Sequence, residues 1–276
     1  MKIIVCIKQV PDTNEVTIDP ETNTLIRTGI PVIINPDDKS GIEAALTLRD
    51  KIPGSTVTVL SMGPAQAEMA LYEALSMGCD QAVLISARQF SGSDTFATSN
   101  IISAAIKKIG FDLIITGRQA IDGDTAQVGP QIAEQLGIPQ VSYVEEVIPE
   151  PAAGAESQDS PSGKGSLIVL RQFEDRYHRL RVKLPCLLTA IKELAEPRYM
   201  TVSGIVAAKD RKINVLDYDA LAESLDPGTI GLKGSPTNVV RSFTKEPKTQ
   251  GALLKGLSTA EAVDAIMSRL HESHMI

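Results

Sequence analysis

Gly117-Arg118-Gln119-Ala120-Ile121-Asp122-Gly123-Asp124-Thr125-Ala126-Gln127-Val128-Gly129 is the stretch that decides how this chain folds. It follows the apolar run Leu113-Ile114-Ile115 and precedes apolar residues at Ile132, Ala133 and Leu136. That order predicts a strand, a small-residue loop and a helix. Glycines let a backbone approach a ligand closely, and the unpaired N–H groups of a helix start suit a phosphate. Asp122 and Asp124 would repel a bare phosphate, so they are expected to cap the helix or to hold hydroxyls and backbone amides. Pro130 removes a helix hydrogen bond, which allows the helix to begin only there. Taken alone, the stretch also fits an ordinary strand-to-helix turn.

Moving outward, strand and helix patterns alternate. Residues 2–8 are rich in β-branched side chains, as a strand covered on both faces should be. Residues 9–13 read as a turn in which Pro11 ends that strand, and 14–29 as a polar hairpin excursion with turn signals at Asp19-Pro20 and Thr28-Gly29. Pro31-Val32-Ile33-Ile34 is a second apolar run. Asn35-Pro36 then starts a helix with Ile42, Ala45, Leu46 and Leu48 on one face. Residues 56–60 form a strand and 61–64 a turn, followed by a helix whose apolar face holds Met69, Leu71, Ala74 and Leu75. The next strand is 82–85, and the helix after it begins near Asp94. Such alternation predicts an α/β fold with a doubly wound, mostly parallel sheet and ligands at the carboxyl ends of its strands. The loops after residues 8, 60 and 116 fall together at that edge.

Beyond residue 140 the character changes. Residues 141–147, 167–173 and 177–182 read as antiparallel strands around a mobile Ala/Gly/Ser/Pro-rich loop at 151–165. Arg176, His178, Arg179 and Arg181 give the last of them a basic, solvated face. Residues 186–191 return to the main sheet. After 210 no further strand–helix unit is evident until a terminal helix near Ser258, with Ala262, Ala265, Ile266 and Leu270 on its apolar face. A helix on such a tether is expected to be an arm that docks elsewhere. The division expected is a body of residues 1–233 and an arm of 234–276.

Composition narrows the function. With 276 residues and 43% hydrophobic content, one large domain can bury a sizeable core. The net charge of −7 argues against nucleic acid or an anionic membrane as partner. No early run is long enough for a signal peptide or a membrane span. Cys6, Cys79 and Cys186 lack metal spacing and are odd in number, so buried free thiols in a reducing cytoplasm are expected. No G-x-G-x-x-G fingerprint occurs. Ser162-Gly163-Lys164-Gly165 fails as a phosphate loop, and the three histidines do not group. Side-chain acid–base, nucleophilic and metal catalysis are therefore not expected; a cofactor would carry the chemistry.

Three separated motifs, in order, then point to a family. The opening stretch, Lys8-Gln9-Val10-Pro11-Asp12-Thr13 and Glu193-Leu194-Ala195-Glu196-Pro197-Arg198-Tyr199 together resemble the beta subunit of electron-transfer flavoproteins. The similarity runs from Met1 to about the final helix, apart from 150–165. It implies an adenine-nucleotide alpha-hydrolase-like sheet, with an extra antiparallel hairpin and a C-terminal arm that docks on an alpha subunit. It also implies an adenine-nucleotide site built from Cys6, Lys8, Asn35, Asp38 and Met62 with Gly117, Arg118, Gln119 and Asp122. Gly123, Asp124, Thr125, Ala126, Gln127 and Val128 would cradle the phosphates.

Housekeeping members hold a structural AMP and carry Asp, Cys and Asn where this chain has Gly123, Thr125 and Ala126. The departures resemble the electron-bifurcating branch of anaerobes. There the site holds FAD, NADH donates hydride, and electrons part toward ferredoxin or flavodoxin and, through the alpha-subunit FAD, toward a dehydrogenase of acyl-CoA or 2-hydroxy-acid type. The alternative is lineage variation around an AMP site. In the same resemblance Glu193 to Tyr199 is the loop recognised by the dehydrogenase, Leu194 its apolar anchor, and Glu193, Glu196 and Arg198 a polar rim beside Pro197 and Tyr199. Read from the residues alone, Leu194 is the last core residue of the preceding strand. Two other classes compete: a nucleotide-binding signalling module similar to universal stress proteins, and an ATP-using ligase.

Overall fold

The computed structural model describes residues 1–12, 31–150, 165–237, 239–240, 251 and 253–276. In chain order the strands are β1 (Lys2–Cys6), β2 (Gln9–Pro11), β3 (Val32–Ile34), β4 (Thr56–Met62), β5 (Gln81–Ile85), β6 (Leu113–Gly117), β7 (Gln140–Pro149), β8 (Ser166–Gln172), β9 (Tyr177–Lys183), β10 (Cys186–Ala190) and β11 (Asn214–Leu216). The helices are α1 (Pro36–Lys51), α2 (Glu68–Met77), α3 (Thr95–Ile109), α4 (Val128–Leu136), α5 (Val202–Lys209), α6 (Tyr218–Leu221) and α7 (Thr259–Glu272).

Nine strands form one sheet in the order β11-β5-β4-β1-β6-β10-β7-β8-β9. From β11 to β7 every pairing is parallel, and β7, β8 and β9 then extend the sheet antiparallel. The expected α/β doubly wound sheet is thus present. The register places Val5 between Val59 and Ile115, and Leu188 beyond Ile115. Strands read as continuous apolar runs because both faces are covered. Ile3, Val5 and Ile7 face a core shared with Ile42 and Leu46 of α1 and Leu71 and Ala74 of α2. Ile4 and Cys6 face the other way, toward Ile101 and Ile106 of α3 and Ile132 of α4.

Several local expectations are corrected. Pro11 does not sit in a turn: β2 pairs antiparallel with β3, Pro11 opposite Val32, in a separate two-stranded sheet. So short a ladder is all edge, where proline's missing N–H is tolerated. Met69, assigned to an apolar face, is 61% exposed. Helix α4 begins at Val128, so Pro130 is its third residue, a position whose N–H would have no helix partner anyway. Beyond 210 there is a further unit: β11 joins β5 in parallel at the sheet's edge and leads into the short helix α6. The hairpin excursion expected at 14–29 and nearly all of the loop at 151–165 lie outside the described residues.

The chain divides into two units, a sheet-bearing body that runs to residue 240 and a second unit that contains α7. Gly234 and Ser235 therefore belong to the body, where the Ser235 hydroxyl receives the N–H of Asp94 at 2.8 Å. Within its own unit, α7 opens with a reciprocal capping box between Ser258 and Glu261. None of its residues is buried; Val263, Ile266 and Met267 are exposed, and Ala262, Ala265 and Leu270 are half-buried.

Candidate functional site

Because β4, β1 and β6 are parallel neighbours, their carboxyl ends bring Met62, Lys8 and Gly117 to one edge of the sheet. Helix α1 starts beneath that edge and its first turn stitches the strand ends together. Asp38 is buried; its Oδ2 accepts the backbone N–H of Lys8 at 2.7 Å, and its Oδ1 that of Gly117 at 2.9 Å. Burial pushes the Asp38 carboxyl up to about 7, against hydrogen bonds from Lys8, Asn35 and Gly117 that favour the ionised form. Only glycine fits at 117, because a Cβ there would collide with Asp38 Oδ1 and stand 3.0 Å from Asp37 Cβ and from the Asp38 nitrogen.

Asn35 precedes α1 but does not cap it with its side chain. Its amide crosses to the loop after β6 instead, donating to the Gln119 carbonyl at 2.9 Å and accepting from Ile121 N–H at 3.1 Å. Asp122 and Asp124 likewise do not cap α4. Asp122 pairs with Lys8 Nζ at 2.6 Å, while Asp124 takes the side-chain amide of Gln119. Arg118 forms an ion pair with Asp37 at 3.5 Å and lies 5.7 Å from the centre of the Tyr143 ring. Asp124 and Ala126 both have left-handed backbones, φ 56° and 52°, conformations that L-residues adopt only under constraint.

The far half of the loop is open. A Cβ at Gly123 would meet no atom within 4 Å. Among the described residues, no acceptor pairs with the backbone N–H of Thr125, Ala126 or Gln127, and the first N–H groups of α4 follow directly. Consecutive free amides at a helix start are donors for phosphate oxygens. The donor set thus fits a nucleotide phosphate. Gln127 also accepts from Thr95 at the start of α3, at 3.0 Å.

Cys6 ends β1 in the core, where burial drives its thiol far up, and Cys79 and Cys186, also buried, are pushed up to about 12. None is a nucleophile at neutral pH. Met62 is half-buried against the α3 side of the core and lines a shallow cleft with Lys8, Val10 and Pro64. A roomier cleft at the opposite edge, near the starts of β5 and β11, is lined by Asp80, Lys108 and Arg211. It is far along the strands from the residues above. Among the described residues, no group of His, Cys, Asp or Glu could hold a metal, and no helix is long and apolar enough to cross a membrane.

A second loop leaves β10, the neighbour of β6. Glu193 is exposed, Leu194 is half-buried against the α1 side of the core, and Pro197 is half-buried. Arg198 is not a free rim residue: its guanidinium is forked onto Glu43 of α1, with Nε to Oε2 and Nη2 to Oε1 both at 2.8 Å. Burial alone would raise the Glu43 carboxyl, but the Arg198 bonds outweigh it and hold the group below its ordinary value. Tyr199 is 93% exposed. The sequence signalled neither Glu43 nor Asp37, Tyr143 and Thr95, since each gains meaning only from a partner distant in the chain.

The family model described as "Electron transfer flavoprotein domain" matches residues 22–221. A Clostridium acetobutylicum protein described as electron transfer flavoprotein subunit beta is 51% identical over the whole of both chains. This chain belongs to the electron transfer flavoprotein beta-subunit family. Other members of the family are the Acetobacterium woodii protein described as caffeyl-CoA reductase-Etf complex subunit CarD, 48% identical over all of both chains, and the Anaerotignum propionicum protein described as acryloyl-CoA reductase electron transfer subunit gamma, 50% identical over all of both.

Proposed function

We propose that this chain is the beta subunit of a heterodimeric, cytoplasmic, electron-bifurcating flavoprotein, holding FAD rather than AMP at the edge formed by β4, β1 and β6. Bound there, FAD would accept hydride from NADH and send one electron to ferredoxin or flavodoxin and the other, through the alpha-subunit FAD, to a dehydrogenase. The observation that carries this reading is the open half of the loop. A Cβ at Gly123 would meet no atom within 4 Å, and among the described residues no acceptor takes the nearby amides of Thr125, Ala126 and Gln127, which could hold a pyrophosphate.

This chain's own residues bind and orient. Asp38 and Asn35 hold the loop, Gln119 and Asp124 brace it, and Lys8 neutralises Asp122 beside the phosphates. A flavin-linked acyl-CoA dehydrogenase is the favoured acceptor, given that two full-length relatives are named for caffeyl-CoA and acryloyl-CoA reductases. Leu194 with Tyr199 would dock it. The C-terminal part of the second unit, whose helix α7 exposes Ile266 and Met267, would dock the alpha subunit. The test is a count of flavin in the gently purified complex. Two FAD per heterodimer with NADH-dependent ferredoxin reduction is the expected result; one FAD with one AMP, and no response to NADH, would overturn it.

A further inference from the structure

Helix α1 touches both loops, and its second contact is the more elaborate. Its first turn holds the nucleotide loop through Asn35 and Asp38. Farther along, Ser40 Oγ accepts the N–H of Ala195 at 3.0 Å, and Glu43 Oε2 accepts the backbone N–H of Arg198 at 3.0 Å in addition to the guanidinium fork. Thr47 donates to Glu43 at 3.2 Å, and Arg198 Nη2 also reaches Asp50 at 3.1 Å. A carboxylate buried mid-helix carries a desolvation cost that the helix itself gives no reason for. Every bond that offsets this one, apart from Thr47, comes from Arg198 of the loop. The next residue, Tyr199, is 93% exposed, and Thr201 then caps α5 by accepting the N–H of Gly204 at 2.9 Å. Tyr199 and Met200 are thus presented outward between two fixed points.

We propose that Glu43 is the positioning residue of the dehydrogenase-docking loop. Acting through Arg198, it holds residues 195–199 in the binding conformation, so that little ordering entropy is lost when the partner arrives. The inference rests on the docking role given to this loop above. It assigns Glu43 a task in partner recognition although it touches no partner itself.

The test uses the complex with its alpha subunit and a flavin acyl-CoA dehydrogenase as acceptor. Glu43→Gln should raise the KM for the dehydrogenase about tenfold with kcat unchanged, as lost preorganisation acts on binding. Flavin content and reduction by NADH should stay at wild-type values, while amide exchange at Ala195 and Arg198 accelerates. Arg198→Lys, which keeps the charge but not the fork, should behave alike. The double variant Glu43→Gln/Arg198→Gln should be no worse than Arg198→Gln alone, because both act through one contact. An unchanged KM in Glu43→Gln and Arg198→Lys, or additive losses in the double variant, would overturn the inference. Leu194→Ala separates the two layers of argument. If it raises KM and Glu43→Gln does not, only the positioning role fails. If it leaves KM unchanged, the docking role itself fails and the positioning role with it.

Discussion

Two loops leave neighbouring parallel strands, β6 and β10, at one edge of the sheet, and α1 holds both, yet they are built in opposite ways. The loop after β6 has its backbone pinned at the root, and farther along it is held by side chains, Asp122 on Lys8 and Gln127 on Thr95. Asp38 and Asn35 pin residues 117–121, and among the described residues the amides of Thr125, Ala126 and Gln127 meet no acceptor. The loop after β10 is fixed along its length by Ser40 and Glu43, and what it leaves free is an aromatic ring. An unfilled donor set suits a small anion that supplies its own acceptors. A backbone anchored at Ala195 and Arg198 beneath an exposed aromatic side chain suits a protein surface, which brings area instead. On the function proposed above, the same helix would serve two kinds of recognition by tying down different parts of two loops.

The contrast breaks most completely at the root of the first loop. Gly117→Ala places a methyl group against Asp38 Oδ1 and the Asp38 backbone and threatens the bond from the Gly117 N–H. Overpacking at backbone atoms that cannot move aside costs roughly 3 kcal/mol or more. Urea unfolding should register that loss, and nucleotide retention should fall with it. Wild-type stability in this variant would mean that the root is not the rigid point argued here.

A smaller effect sharpens what Asp38 does. Its folded value of about 7 lies above its ordinary 3.8, so the folded state holds the proton more tightly than the unfolded chain. Its contribution to stability is therefore fully present below about pH 4 and is lost as pH rises through about 7. Asp38→Asn removes that titration. Relative to the variant, the wild type should lose roughly 3 kcal/mol between pH 5 and 8, at about 1.4 kcal/mol per pH unit between pH 5 and the folded value. Urea unfolding of both proteins at the two pH values measures it. A wild type that gains on the variant as pH rises would show that the two backbone N–H bonds outweigh burial.

The two loops were also unequally legible. The first was visible because a strand, a run of small residues and a helix follow one another within some twenty positions, and local order carries the meaning. Its stitching was not: Asn35 reads as a helix start, and nothing nearby reveals that its side chain crosses to Gln119. The second loop was visible only as a motif. Arg198 reads as a surface cation because its partner, Glu43, lies 155 residues earlier on a helix rich in charge. The sheet followed from its long apolar runs, whereas β2 and β11, three residues each, have too few positions for any period to register. Helix α5 lacked a polar face to announce it, since Val202, Ile205 and Val206 are apolar yet exposed.

The smallest predicted effect lies in the open half of the first loop, and it isolates charge from shape. Gly123 has φ outside the left-handed region and empty space where a Cβ would sit, so Gly123→Ala should change stability by less than ~0.5 kcal/mol and leave nucleotide content intact. Gly123→Asp adds the same bulk at the root of the side chain but brings a negative charge beside the expected pyrophosphate. At an exposed site the repulsion is worth about 1 kcal/mol, a loss of roughly fivefold in FAD affinity, and it should shrink as salt is raised. Titrating FAD into the deflavinated complex at low and high ionic strength distinguishes the two variants. Equal losses in both would mean that space, not charge, governs this half of the loop. A loss in Gly123→Asp that salt does not relieve would mean that no phosphate lies against Gly123, and the open loop would need another ligand.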